Sequence, residues 1–201
     1  MIDLPTDLPA DIVPLSWLLG VWEGTGVIAY EAEGTSFRGE FAHRVSFSHD
    51  GGDFVNYAAS AWLLGEAGGR TSLVAETGYW RLARPAEAAD AGPGLLPASV
   101  VRSSPRTVDD VEMLRGAEGG FELEVAIVHS DGISELYLGQ VRGPRIDLAT
   151  DAVVRPASAK AYTAATRMYG YVDGHLLWAW DIAALGGELA SHASARLARA
   201  E

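Results

Sequence analysis

The chain has 201 residues, 48% hydrophobic and 21% charged, enough for one domain with a sizeable core and too apolar for a disordered chain. A formal net charge of −12 argues against nucleic acid and anionic membrane surfaces as partners, since both require a basic patch. The absence of cysteine excludes a disulfide framework, a thiolate metal site and a cysteine nucleophile.

The opening MIDLPTDLPADIVP carries acids and prolines where a secretory leader needs positive charge and then an apolar run, so a cytoplasmic location is expected. Nowhere do about 18 apolar residues run without interruption, so no membrane-spanning helix is expected. Residues 1–14 read as a proline-broken lead-in and residues 15–201 as a single domain. Leu15 to Leu19 is expected to make one helical turn at the bottom of that domain.

From Gly20 the residues Gly20, Trp22, Gly24 and Gly26 recur at every second position, which is one face of a β-strand. Glycine there packs nothing and costs backbone entropy, so the pattern fits a sharp bend or a place where another backbone or a flat ligand comes close. The first strand is expected over Val21 to Tyr30 and the second over Glu40 to Ser48, with Phe41, His43, Val45 and Phe47 on one face. Asp50-Gly51-Gly52-Asp53 marks a turn before a third strand, Phe54 to Leu64, and a fourth spans Thr71 to Ala83.

Residues 84–110 are rich in Pro, Ala, Gly and Ser and lose the rhythm, so they read as an exposed insertion, with Ala98 to Arg102 a brief strand edge. Alternation resumes at Val111 to Arg115 and continues from Phe121 to His129. Strands then follow at Ile133–Val141, Arg145–Val154, Ala159–Val172 and His175–Ala183, the last two joined by the hairpin turn Asp173-Gly174. The final segment, His192 to Ala200, has helical composition. It is nonetheless assigned as a strand, because a sheet of this kind needs a closing strand to remove its edges. The expected fold is all-β: a closed antiparallel up-and-down β-barrel of about ten strands, shaped like lipocalins and fatty-acid-binding proteins.

Hydrolase, zinc and phosphate-binding motifs are missing: there is no G-x-S-x-G, no H-E-x-x-H and no Walker sequence. Glu122 and Glu124 fall on an outward strand face and read as solvated. Of five histidines, His49, His129 and His175 abut turns and are expected to face solvent, whereas His43 shares an apolar face and is expected to be buried. His192 stands at the mouth of the last strand.

Gly20-Val-Trp22-Glu-Gly24-Thr-Gly26 resembles the G-x-W-x-G-x-G signature of the nitrobindin family, haem-binding barrels that isomerise peroxynitrite. The similarity extends to Glu76-Thr-Gly-Tyr-Trp80, His129-Ser-Asp-Gly-Ile-Ser-Glu135, Thr150 to Arg167, and the tail from Asp181 to His192. It implies one haem b per chain, with His192 as axial ligand of the iron and Lys160 as a haem contact at the rim. The implied ligands are peroxynitrite and nitric oxide. The sequence departs from the family after Tyr30, where Glu31-Ala-Glu-Gly-Thr35 replaces Tyr-Pro-Thr-Ile and the family's threonine is missing in register. The alternative is a haem-free carrier of a fatty acid or other apolar ligand, its carboxylate met by Lys160, Arg44 or Arg167. A homodimer is suggested by the Trp and Leu residues of the N-terminal segment, if exposed.

Overall fold

A computed structural model describes residues 8–32, 35–102 and 104–200. Eleven strands run antiparallel: β1 (Gly20–Ala32), β2 (Thr35–Ser48), β3 (Phe54–Leu64), β4 (Arg70–Ser72), β5 (Glu76–Leu82), β6 (Phe121–His129), β7 (Ser134–Arg142), β8 (Arg145–Val154), β9 (Tyr162–Val172), β10 (His175–Ala184) and β11 (Ala190–Arg199). Ten of them close into a ring, because β2 pairs with β3 as well as with β1, and β1 pairs with β11. The short β4 pairs with the end of β3. Closure leaves the barrel without a free edge, which is why the Ala- and Arg-rich tail is a strand despite its helical propensity.

Inward alternation follows the sequence pattern. On β2 it buries Phe41, His43, Val45 and Phe47, and on β6 it buries Phe121, Leu123, Val125 and Ile127. On β1 the inward face carries Trp22, Gly24 and Gly26, with β11 pressed against it. A Cβ on Gly24 would meet the Arg196 carbonyl oxygen, and one on Gly26 the Ser194 carbonyl oxygen. The glycines therefore answer the close approach of another backbone.

The lower end is plugged by a 3-10 helix, Ala10–Leu18, longer than the single turn expected and beginning earlier. It drives Ile12, Leu15 and Leu18 into the core, and the Leu18 carbonyl accepts the Trp22 Nε1–H at 2.6 Å. Trp17 is half-buried and Leu19 is buried, so these two side chains serve the chain's own core. Above the plug, Phe47 and Tyr169 meet Trp80 at 5.4 and 5.1 Å between ring centroids, both nearly perpendicular.

The fourth expected strand divides into β4 and β5. Val111 to Arg115 is not strand: a short helix, α1 (Val108–Glu112), begins behind a capping box of Thr107 and Asp110 and takes in its first two residues. Between Leu82 and α1 the chain has no strand among its described residues, so the edge expected at Ala98–Arg102 is not formed. Ion pairs tie this segment down: Arg84 bonds Asp90 at 2.7 Å, and Arg106 reaches both Asp11 of the plug at 3.1 Å and Glu87 at 2.8 Å. No helix is long and apolar enough to cross a membrane among the described residues.

Candidate functional site

Strand alternation on β11 buries Ala193, Ala195 and Leu197. Continued downward in sequence, that parity would point His192 out of the barrel. A β-bulge prevents this. Trp180 of β10 pairs with Ala193 and the next residue, Asp181, pairs with Ser191, so His192 is the extra residue on β11. An inserted residue bends the strand and re-aims its side chain. His192 consequently lines an interior cavity beside Ala193.

The cavity has a volume of about 200 Å³ and lies at the end of the barrel away from the plug. Its walls come from β1 (Ile28), β2 (Phe41, His43), β10 (Trp178, Trp180) and β11, and Glu76 stands at its inner end. The His192 ring lies edge-on to Trp180 at 5.6 Å and 5.9 Å from Tyr30, which stacks on Phe37 across the β1–β2 hairpin. Burial holds the His192 imidazole below its ordinary pKa, which favours the neutral ring and a free lone pair for a metal. The neighbouring Ser191 is exposed.

Three polar atoms on the cavity's walls are buried without a hydrogen-bond partner: His43 Nε2, Trp178 Nε1 and Trp180 Nε1. Trp80 Nε1 and Tyr169 Oη, deeper in the packed core, also lack partners, so what sets the cavity apart is that three such atoms line one open space. A flat, largely apolar group with a metal at its centre suits this lining: two imidazoles, aromatic walls, and one carboxylate, Glu76, whose charge is already met by Arg167.

Beneath the cavity the barrel axis is occupied by charge. Arg167, 2% exposed, holds Glu76 with two hydrogen bonds of 2.7 and 2.8 Å and donates to Glu135 at 3.2 Å. Tyr57 donates to Glu76 at 2.7 Å, Tyr137 donates to Glu135 at 2.7 Å, and Tyr162 also donates to Glu135. His129 Nε2 donates to Glu135 at 2.7 Å. Burial alone would raise the Glu76 carboxyl, but the Arg167 guanidinium more than offsets it and brings the pKa down to about 2. The Arg167 guanidinium also lies 4.4 Å over the Trp180 ring, linking this network to the cavity wall.

The expected site residues thus divide. His192 and His43 line one cavity. Lys160 is exposed at the foot of β9; its neighbour Ala161 accepts a backbone hydrogen bond from Leu185 of the loop that leads to His192. Gly20, Trp22, Gly24 and Gly26 shape β1, and Trp22 packs at the plugged end. The Thr35 side chain lies outside the described residues. Arg44 is exposed and paired with Glu23 at 2.6 Å, so it cannot meet a ligand inside, while Arg167 is inside but already engaged by the chain's own carboxylates. Glu122 is exposed, and Glu124 pairs with Arg81 on the outer face. Two of the three turn histidines are half-buried, and His129 is a correction: it is buried and bonded to Glu135. Its inward place follows from β6 parity, which puts odd-numbered residues inside from Phe121 onward.

A family model described as the THAP4-like, heme-binding beta-barrel domain matches residues 11–199. The chain is 61% identical to a protein of Leifsonia xyli subsp. xyli named peroxynitrite isomerase, over the full length of both. It is 57% identical, again over both full lengths, to one of the same name from Clavibacter michiganensis subsp. michiganensis. Among solved structures it is similar to the crystal structure of Rv2717c from M. tuberculosis, with a TM-score of 0.66 and 26% identity, covering 99% of this chain and 100% of that one.

Proposed function

The chain belongs to the THAP4-like, heme-binding β-barrel family, and on that premise we propose that it isomerises peroxynitrite to nitrate on a ferric haem b seated beside His192. The observation that carries this reading is the bulge that turns a half-buried, neutral histidine into the cavity. When bound, ferric haem supplies an electrophilic iron at which the O–O bond of peroxynitrite is weakened. His192 would hold the haem iron through a ring nitrogen, and nitric oxide would be a second small ligand of the same site.

The chain's own residues do the rest. The perpendicular contact with Trp180 positions the His192 ring, which has no hydrogen-bonded carboxylate or carbonyl among the described residues. Ile28, Phe41, Trp178 and Trp180 exclude water, so an ionic reactant meets little competing solvation. Lys160, a cation at the rim beside the 185–189 loop, would pair with a haem propionate. No side chain is required as a nucleophile, since isomerisation rearranges one molecule and consumes no water.

A fatty-acid carrier fits less well. An acyl chain lies along a barrel's axis, and here that axis holds Tyr57, Tyr137, Arg167 and two carboxylates. The test is stopped-flow decay of peroxynitrite with haem-loaded and haem-free protein, scoring nitrate against nitrite. Faster decay with nitrate as the product is expected from the loaded protein only. Equal decay rates for the two forms would refute the assignment.

A further inference from the structure

His43 is the second imidazole on the cavity's wall, and it comes from β2, separated from β11 by β1. It is 6% exposed. Its Nδ1 lies 3.2 Å from the carbonyl oxygen of Ser60 on β3. A carbonyl oxygen only accepts, so this bond places the proton on Nδ1. In the neutral ring, Nε2 is then a bare lone pair, and no group among the described residues donates to it. Trp178 packs against the ring at 4.8 Å between centroids, yet its own Nε1–H is also without a partner, so the two do not satisfy one another. Burial depresses the His43 pKa, which keeps the ring neutral although Glu76, on the same cavity, pulls the other way.

A neutral imidazole tied at one nitrogen and free at the other is a proton acceptor held in fixed orientation. We propose that His43 Nε2 is the proton acceptor for a protic small molecule entering the cavity, which for the reaction above is peroxynitrous acid. The proton passes from the acid's O–H to Nε2 and leaves the peroxynitrite anion. No electron moves, and the imidazolium later returns the proton to solvent as the Nδ1–H bond to Ser60 persists. The flanking Trp178 Nε1–H, a donor without an acceptor, faces an anion favourably. This inference rests on the haem reading of the cavity.

The experiment uses the ferric haem-loaded protein and hydrogen cyanide, which must lose a proton to bind iron, near neutral pH where the acid predominates. Carbon monoxide binding to the ferrous protein is the control, because it needs no proton acceptor. His43→Leu is expected to slow cyanide association by about 100-fold and to leave carbon monoxide association unchanged, and His43→Gln, whose amide cannot take a proton, is expected to be slowed as well. Equal slowing of both ligands, or of neither, would assign His43 to packing and overturn the proposal. Nitrogen-15 NMR of the haem-free chain supplies an independent reading. A bare Nε2 is expected there, and a protonated Nε2 would overturn the inference while leaving the haem reading intact. A chain that takes up no haem would sink the haem reading itself.

Discussion

His192 stands edge-on to Trp180, with ring centroids 5.6 Å apart and planes at 83°, at the point where the pairing of β10 and β11 slips by one residue. The slip and the contact are one feature. The extra residue turns the imidazole inward, and the indole then holds it there. Trp180 is itself held from behind by the Arg167 guanidinium at 4.4 Å, so the ring that positions His192 is braced by a buried charge.

Removing the indole that positions His192 should loosen the haem without changing its ligand. Trp180→Leu is expected to lower haem affinity by about tenfold, the equivalent of ~1.4 kcal/mol, while the Soret maximum stays where it is. Haem transfer to an acceptor protein measures the first and an absorption spectrum the second.

Arg167 neutralises two buried carboxylates. Arg167→Met leaves Glu76 and Glu135 without their guanidinium and should cost about 3–5 kcal/mol in urea unfolding. Arg44→Ala, which breaks an ion pair exposed on both sides, should cost less than about 1 kcal/mol. Similar losses for the two variants would contradict the network described here.

The same network sets the acid limit of stability. The Glu76 carboxyl is depressed from 4.5 to about 2 in the folded chain. A depressed folded pKa means that its contribution is fully present above about pH 4.5 and is lost as pH falls toward about 2. The loss is on the order of 3 kcal/mol, and Glu76→Gln should flatten this part of the stability–pH profile.

Gly26 has no room for a side chain, because the Ser194 carbonyl oxygen and the Ala195 methyl occupy the place of its Cβ. Gly26→Val is expected to destabilise the chain by at least about 1–3 kcal/mol, by pushing β11 off β1. Thr25→Val, one residue away on the exposed face, should stay within about 0.5 kcal/mol. Thermal melts compare the two directly.

The barrel was legible in the sequence because alternation and turn signals are local. Phe54 to Leu64 and Arg145 to Val154 were bounded by turn residues and stand as strands at those limits. The tail beginning at His192 was read as strand from closure against its own propensity, and it pairs with both β1 and β10. Val111 to Arg115 misled because a capped helix of five residues and a short strand carry the same few apolar residues. His129 differs for another reason: its place beside a turn predicts exposure, while strand parity puts it inside. Parity also fails for His192, since a bulge leaves no mark in the sequence. The resemblance named the residue, and the register explains how its side chain enters the barrel. The pairing of Arg167 with Glu76 joins residues 91 apart in the sequence and follows only from closure.

The most direct measurement is the absorption spectrum of the purified protein after addition of ferric haem, beside His192→Ala. A sharp Soret band that the substitution abolishes is predicted. A band that survives unchanged in His192→Ala would contradict the assignment of His192, and no band in the unsubstituted protein would contradict the haem site itself.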